Sequence, residues 1–231
     1  MKLLALDTSS IACSVALQNE NQVIDRHEEQ PREHTRLLMP MIEDVMRQAG
    51  IQLTDLDAIV LGNGPGSFIG MRIAASVAQG LAFGSGLNII PVSSLAAVAA
   101  QVFDEHDATE VVVTQDAHMH EVYLGLFRRG SSGAPADVIP ERLQAVTPIG
   151  ELETEREGTR LAAGFGWQRY PQLLAENQDR FAAVVDVLHP RARHLLRLGA
   201  VALGRGLSVT PQDVVPAYLR QKVAEKSTSP R

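Results

Sequence analysis

The sequence predicts an α/β protein with a duplicated plan, and three observations point to it. Residues 2–26 alternate short apolar runs with turn residues, and residues 111–127 open the same strand-turn-strand theme again. Between them, an apolar strand feeds through a glycine-rich loop into an almost uncharged helix. The charged break Asp104-Glu105-His106-Asp107 separates the two beginnings, which places a first lobe at 1–105 and a second at 106–231.

In chain order, Leu3-Leu4-Ala5-Leu6 is a short strand that stops at Asp7-Thr8-Ser9-Ser10. Residues 12–17 resume the extended pattern, and Gln18-Asn19-Glu20-Asn21 is turn chemistry before Val23-Ile24. Residues 2–26 therefore read as a three-stranded antiparallel meander. A helix is expected over 31–49, with Pro31 suited to its first turn and Pro40 bending it locally. Its apolar positions Leu37, Leu38, Met41, Ile42, Val45, Met46 and Ala49 fan over about half the circumference, wider than the ~100° stripe that one core needs. Apolar surface is left over for a partner.

Ala58-Ile59-Val60-Leu61 reads as a buried strand, and the loop after it cannot be regular structure. Gly62, Gly64 and Gly66 permit positive φ, Pro65 fixes its own, and Ser67 is placed to cap a helix over 68–83 that ends at Gly84. The loop has neither the lysine nor the hydroxyl of a P-loop, the third small residue of a dinucleotide fingerprint, nor the glycines that flank a nucleophile elbow. A tight turn that lets a helix pack closely on its own sheet is the plainer reading. Arg72 is the one charge on that helix, among Ile73, Ala74, Ala75, Val77, Ala78, Leu81, Ala82 and Phe83. Gly70, Ala74, Ala78 and Ala82 recur every four residues, a row of small side chains open to close approach by another helix.

Beyond it the sequence predicts a strand over 88–92, a helix to Phe103 capped by Ser93 or Ser94, and strands at 111–113 and 121–127. A Gly/Ser-rich loop over 128–135, a strand over 161–164, a turn over 164–167, a short helix over 169–178, an amphipathic helix over 190–203 and a frayed polar end over 222–231 complete the chain.

The 231 residues carry a formal net charge of −6, and only 4% are aromatic. The positive field of a nucleic-acid binder is missing, and platforms for unstacked bases are few. The single cysteine, Cys13, excludes an intramolecular disulfide and fits a reducing compartment. With no apolar run of membrane-spanning length, a cytoplasmic protein without membrane contact is expected.

Five segments carry a resemblance: Leu4-Ala5-Leu6-Asp7-Thr8-Ser9, Pro31-Arg32-Glu33-His34-Thr35, the loop Gly64-Pro65-Gly66-Ser67-Phe68-Ile69-Gly70-Met71-Arg72, Asp116-Ala117 with Glu121-Val122-Tyr123, and Pro216-Ala217-Tyr218-Leu219-Arg220. Together, and over nearly the whole chain, they resemble the TsaB family, also called YeaZ; the glycine loop is shared with the related TsaD proteins. The resemblance implies an actin/Hsp70/sugar-kinase-like (ASKHA) fold of two α/β lobes, each on a mixed sheet. It implies a non-catalytic scaffold and activating subunit for a TsaD-like transferase that makes N6-threonylcarbamoyladenosine (t6A) at position 37 of tRNA. A TsaE-like ATPase would be reached through that complex, without a cofactor and without strong direct tRNA binding by this chain. Docking is expected through the first two helices, at Leu37, Leu38, Met41, Ile42, Val45, Gly70, Arg72, Ile73, Ala74, Val77, Ala78 and Leu81. Without the transferase, the same face is expected to pair with a second copy. Leu38→Glu or Ala74→Arg should then abolish binding and leave the monomer folded.

The residues offer little to a competing catalytic reading. Asp7 stands where an aspartate of this fold's kinases and ATPases faces metal and phosphates, and Asp116 is the matching candidate in the second lobe; both read as remnants. The metal pair of TsaD-like proteins is H-x-x-x-H, and here Leu38 follows His34 at that spacing. His118 and His120 are expected on one side of an extended strand, without a third ligand; family members usually carry arginine where His118 stands. His189 and His194 fall on different helix faces, and Cys13 reads as a core residue. An independent ASKHA-type ATP-dependent kinase or an M22-like peptidase remains the alternative.

Overall fold

A computed structural model describes residues 1–131, 133–150, 152 and 158–220. The expected frayed end at 222–231 lies outside the described residues. Three strands open the chain, β1 (Lys2–Asp7), β2 (Ala12–Asn19) and β3 (Gln22–Glu29), joined as the antiparallel meander that the turn residues predict. α1 (His34–Ala49), β4 (Ala58–Gly62), α2 (Phe68–Ser85) and β5 (Ile89–Val92) follow, with β4 parallel to β1 and β5 parallel to β4. The first sheet has the order β3-β2-β1-β4-β5.

α3 (Ser94–Glu105) leads into β6 (Glu110–Asp116), β7 (Glu121–Arg129), β8 (Pro135–Ala145), β9 (Arg160–Ala163), α4 (Phe165–Arg169), α5 (Pro171–Ala175), β10 (Ala183–Val184) and α6 (Ala192–Gly204). The second sheet has the order β10-β9-β6-β7-β8. Counted from its own first strand, this is the order and orientation of the first sheet, so the duplicated plan is present in full. β8 was not expected, because its half-exposed pattern and flanking Gly/Ser loop resemble a connection.

The expected turn over 164–167 is occupied by α4, and the expected helix over 169–178 is reduced to α5. Two further boundaries differ from the sequence reading for local reasons. α1 begins at His34 and not near Pro31, because Arg32 takes a left-handed conformation (φ 67°) that breaks the helical run. α2 passes through Gly84 and stops at Gly86, whose φ of 70° lets its amide and that of Leu87 return to the Ala82 carbonyl.

α1 and α2 cover one face of the first sheet through Leu4, Leu6, Val15, Leu17, Ile59 and Leu61; α6 covers the other through Leu3, Ala5, Val60 and Ile90. α3 packs on the second sheet against Val111, Val113 and Phe127 and also touches α6, so these two helices lie between the sheets. Helix packing thus crosses residue 105 in both directions: α3 precedes it yet covers the second sheet, and α6 follows it yet covers the first. Trp167, Leu173 and Ile149 close the outer face of the second sheet. Burying each large aliphatic side chain here contributes about 1.5–3 kcal/mol.

Candidate functional site

The glycine loop is built against the end of β1. Asp7 is 1% exposed; its Oδ1 accepts from the Ser9 amide and hydroxyl, both at 2.8 Å, and its Oδ2 from the Ser94 hydroxyl at 2.6 Å. Ser94 in turn accepts from the Gly64 amide (3.1 Å) and donates its own amide to the Gly64 carbonyl (2.8 Å). A Cβ on Gly62 would overlap the Asp7 carboxylate, one on Gly66 the Ser9 carbonyl and one on Gly70 the Thr8 carbonyl. The glycines therefore serve close approach of the loop to its own sheet, as the plainer reading expects. Burial raises the Asp7 pKa, partly offset by the bonds from Ser94 and Ser9. A metal-nucleotide at this turn needs an open carboxylate, and here both oxygens are spent on the chain itself, so such a group does not fit at Asp7.

Asp116, at the end of β6, is engaged in a similar way. Its Oδ1 accepts from the His118 amide (2.8 Å) and the Tyr170 hydroxyl (2.9 Å), while Oδ2 faces His118 Nδ1 (3.3 Å) and Arg169 Nε (3.7 Å). Burial, reinforced by the bond to Asp116, pushes the Tyr170 phenol up to about 12.

The expected strand at His118-Met119-His120 is instead a turn, with φ of 59°, 54° and 56°. It closes because the Asp116 carboxylate captures the His118 amide, while the Ala117 amide donates to the Glu121 carbonyl and the Glu121 amide to the His118 carbonyl. The His118 side chain is 80% exposed at the cleft, and His120 lies 6.1 Å from the Tyr170 ring; both line a hollow with Arg169 and Tyr170. The cleft between the lobes has a volume of about 610 Å³ and is lined by Ser10, His34, Thr35, Ser67, Gln115 and Asp116, among others. His34 is tied to the Ser10 carbonyl at 2.8 Å. His189, buried against Phe165, has its pKa lowered by that burial, and His194 faces Asp104. Cys13 sits in the core with its thiol pushed up to about 12 by burial, an inert setting. Among the described residues, no group of three or more His, Cys, Asp or Glu side chains is placed to hold a metal ion.

The helix residues expected at an interface divide into two sets. Leu38, Met41, Ile42, Val45, Gly70, Ala74 and Ala78 are buried within this chain; Leu37, Ile73, Val77 and Leu81 are half-buried, and Arg72 is exposed. The row of Gly70, Ala74, Ala78 and Ala82 seats α2 on its own sheet, so it is not open to another helix, and Leu38→Glu or Ala74→Arg would strike the core. The outward face of α2 carries Ile69 (69% exposed), Arg72, Ser76, Gly80 and Phe83 (81% exposed), and nothing lies within 4 Å of where a Cβ on Gly80 or Gly84 would stand. Met39 and Pro40 expose further surface on α1. Of this outward set only Arg72 is among the residues expected at an interface; Ile69, Ser76, Gly80, Phe83, Met39 and Pro40 are not. For those on α2 the signal was Arg72 itself: a lone charge marks the solvent side, and Ile69, Ser76, Gly80 and Phe83 lie at helical spacing around it.

A family model described as "TsaD: tRNA N6-adenosine threonylcarbamoyltransferase" matches residues 22–228. The chain is 37% identical to the tRNA threonylcarbamoyladenosine biosynthesis protein TsaB of Escherichia coli over 226 residues, 98% of this chain and 97% of that one. The chain belongs to the TsaB family. The Haemophilus influenzae TsaB is 35% identical over 98% of this chain and 96% of its own. Among solved structures, YeaZ from Pseudomonas aeruginosa superposes on this TsaB-family chain with a TM-score of 0.87 at 36% identity, over 94% of this chain and 99% of that one. An uncharacterized protein of the same species, described as similar to peptidase YeaZ, gives 0.85 at 36% identity over 95% and 99%. The TsaB-family chain thus has the two-lobed ASKHA-type fold, with two mixed sheets flanked by helices. Among its described residues, no helix is long and apolar enough to cross a membrane.

Proposed function

We propose that this chain is a non-catalytic scaffold and activating subunit in t6A biosynthesis, docking a TsaD-like transferase on the outward face of α2 and the adjoining edge of α1. The observation that carries this reading is the exposed face itself, where Ile69 and Phe83 project beside the open backbone of Gly80 and Gly84. Aromatic and aliphatic anchors beside small residues allow close, dry packing by a partner helix. Half-buried Leu37, Ile73, Val77 and Leu81 continue the surface inward. A cytoplasmic setting agrees with this role, and a TsaE-like ATPase would join through the transferase. In the transferase's absence the same face pairs with a second copy.

The engaged state of Asp7 and Asp116 agrees with a subunit that positions and does not react. With a net charge of −6, tRNA would be held chiefly by the partner. The test is co-purification with a tagged TsaD-type transferase from the same cell, followed by a t6A assay with and without this chain. A complex that restores modification, and is lost in Ile69→Glu and Phe83→Glu, supports the reading. Absence of a complex, combined with ATP turnover by this chain alone, would favour the kinase alternative.

A further inference from the structure

The segment that leaves the first lobe after residue 213 has no regular structure, yet it makes an ordered series of anchors on both lobes. Val214 is buried in the core beneath α1 and α2. The Asn63 side chain donates to the Val215 carbonyl (3.0 Å), and the Ala217 amide donates to the Asn63 carbonyl (3.2 Å), pinning the segment to the glycine loop. Tyr218 accepts from Arg72 Nε at 2.9 Å, and its ring lies 5.5 Å from that of Phe68, over which the Arg72 guanidinium stacks at 3.7 Å. One residue later the contacts change lobe. Leu219 packs on the core under the second sheet. Arg220 donates to the carbonyls of Ala117 (2.8 Å) and His118 (3.3 Å) and pairs with Glu121 at 2.6 Å. The segment spans a hollow of about 350 Å³, whose walls include Phe68 and Met71 on one side and Met119 and Tyr123 on the other.

We propose that residues 214–220 act as an inter-lobe strap that couples the first turn of α2 to the His118 turn at the mouth of the cleft. The physical basis is the spacing of the two grips. Tyr218 and Arg220 are only two residues apart, so a shift of one has little chain in which to be absorbed before it reaches the other. Each grip also holds a surface that can respond. On one side, Arg72 and Phe68 begin the outward face of α2. On the other, Arg220 satisfies carbonyls of a turn whose three left-handed residues need outside support to persist. Occupancy of the helix face and the disposition of His118 in the cleft are thereby linked through this chain's own backbone. The strap does not depend on which partner docks, or on whether one docks.

Hydrogen–deuterium exchange on the full chain without partner tests this. Tyr218→Ala should speed exchange at 117–121 on the far lobe as well as locally. Arg220→Gln should speed exchange at Ala217 and the first turn of α2 as well as at the His118 turn. Each distal change should be about fivefold, the size expected from losing one hydrogen-bonded anchor. The double variant should add little beyond the larger single. Changes confined to the mutated anchor, or effects that simply add, would overturn the coupling. Should Arg220→Gln unfold, with exchange rising in β1 as well, Arg220→Lys keeps the charge facing Glu121 but loses the two-carbonyl fork, and the same two outcomes decide.

Discussion

The two faces of α2 are made of nearly the same residue types and do opposite things. Inward, Gly70, Ala74, Ala78 and Ala82 are small because the sheet is close, and Gly70 rests on the Thr8 carbonyl. Outward, Gly80 and Gly84 are small with nothing within 4 Å of where a Cβ would stand, Ser76 is exposed, and Ile69 and Phe83 project on the same side. Composition is therefore a poor guide to which face serves a partner. Solvent exposure, which depends on where the sheet lies, is what separates the packed face from the proposed docking face here.

The comparison breaks most visibly at Ala74. Ala74→Arg places a charge at a fully buried position and should cost about 4 kcal/mol or more, seen as loss of the cooperative urea transition. A folded Ala74→Arg protein would mean that the inner face is not packed as described.

Phe83→Glu is the outward counterpart. Its unfolding free energy should stay within about 0.5 kcal/mol of the parent, while affinity for a TsaD-type transferase falls about thirtyfold, as for an aromatic anchor worth ~2 kcal/mol. Titration calorimetry reads the affinity and urea denaturation the stability, and an unchanged affinity would move the docking surface elsewhere.

Gly70→Ala sharpens the contrast with one methyl group. The added Cβ meets the Thr8 carbonyl, so a loss of about 1–3 kcal/mol is expected, whereas Gly80→Ala, in open space within the helix, should gain about 0.5–1 kcal/mol. Equal effects at the two glycines would erase the distinction between the faces.

Burial divides carboxylates in the same way, with a smaller effect. Asp44 on α1 is held below its usual range chiefly by its bond from Arg26, whereas burial pushes Glu141 up to about 7 although Ser93 donates to it. A raised folded-state pKa means that the stability from protonated Glu141 is fully present below its unfolded value near 4.5 and is lost as pH rises through about 7. Urea midpoints of the parent should therefore fall relative to Glu141→Gln between pH 5 and pH 8. Parallel pH dependence in the two proteins would place the carboxyl in a wetter setting.

Much of the fold was legible locally. The opening meander, the strand-loop-helix unit at Gly62, the caps at Ser67 and Ser93 and the second beginning at residue 110 all follow from turn chemistry and apolar runs, which act over a few residues. β8 escaped because its burial alternates weakly, and the His118 turn escaped because its geometry depends on Asp116 and on Arg220, a hundred residues away.

By itself, the sequence determined the duplicated α/β plan, the close-packed glycine loop and the family to which the chain belongs, because these rest on spacing, conformational preference and ordered motifs. Only the tertiary structure decided that Asp7 and Asp116 are spent on the chain's own donors, and that the regular small-residue row faces inward. It also decided that α3 and α6 lie between the two sheets and that residues 214–220 span the lobes. Each of these depends on which distant groups meet, and a contact across a hundred residues leaves no periodic mark on either partner.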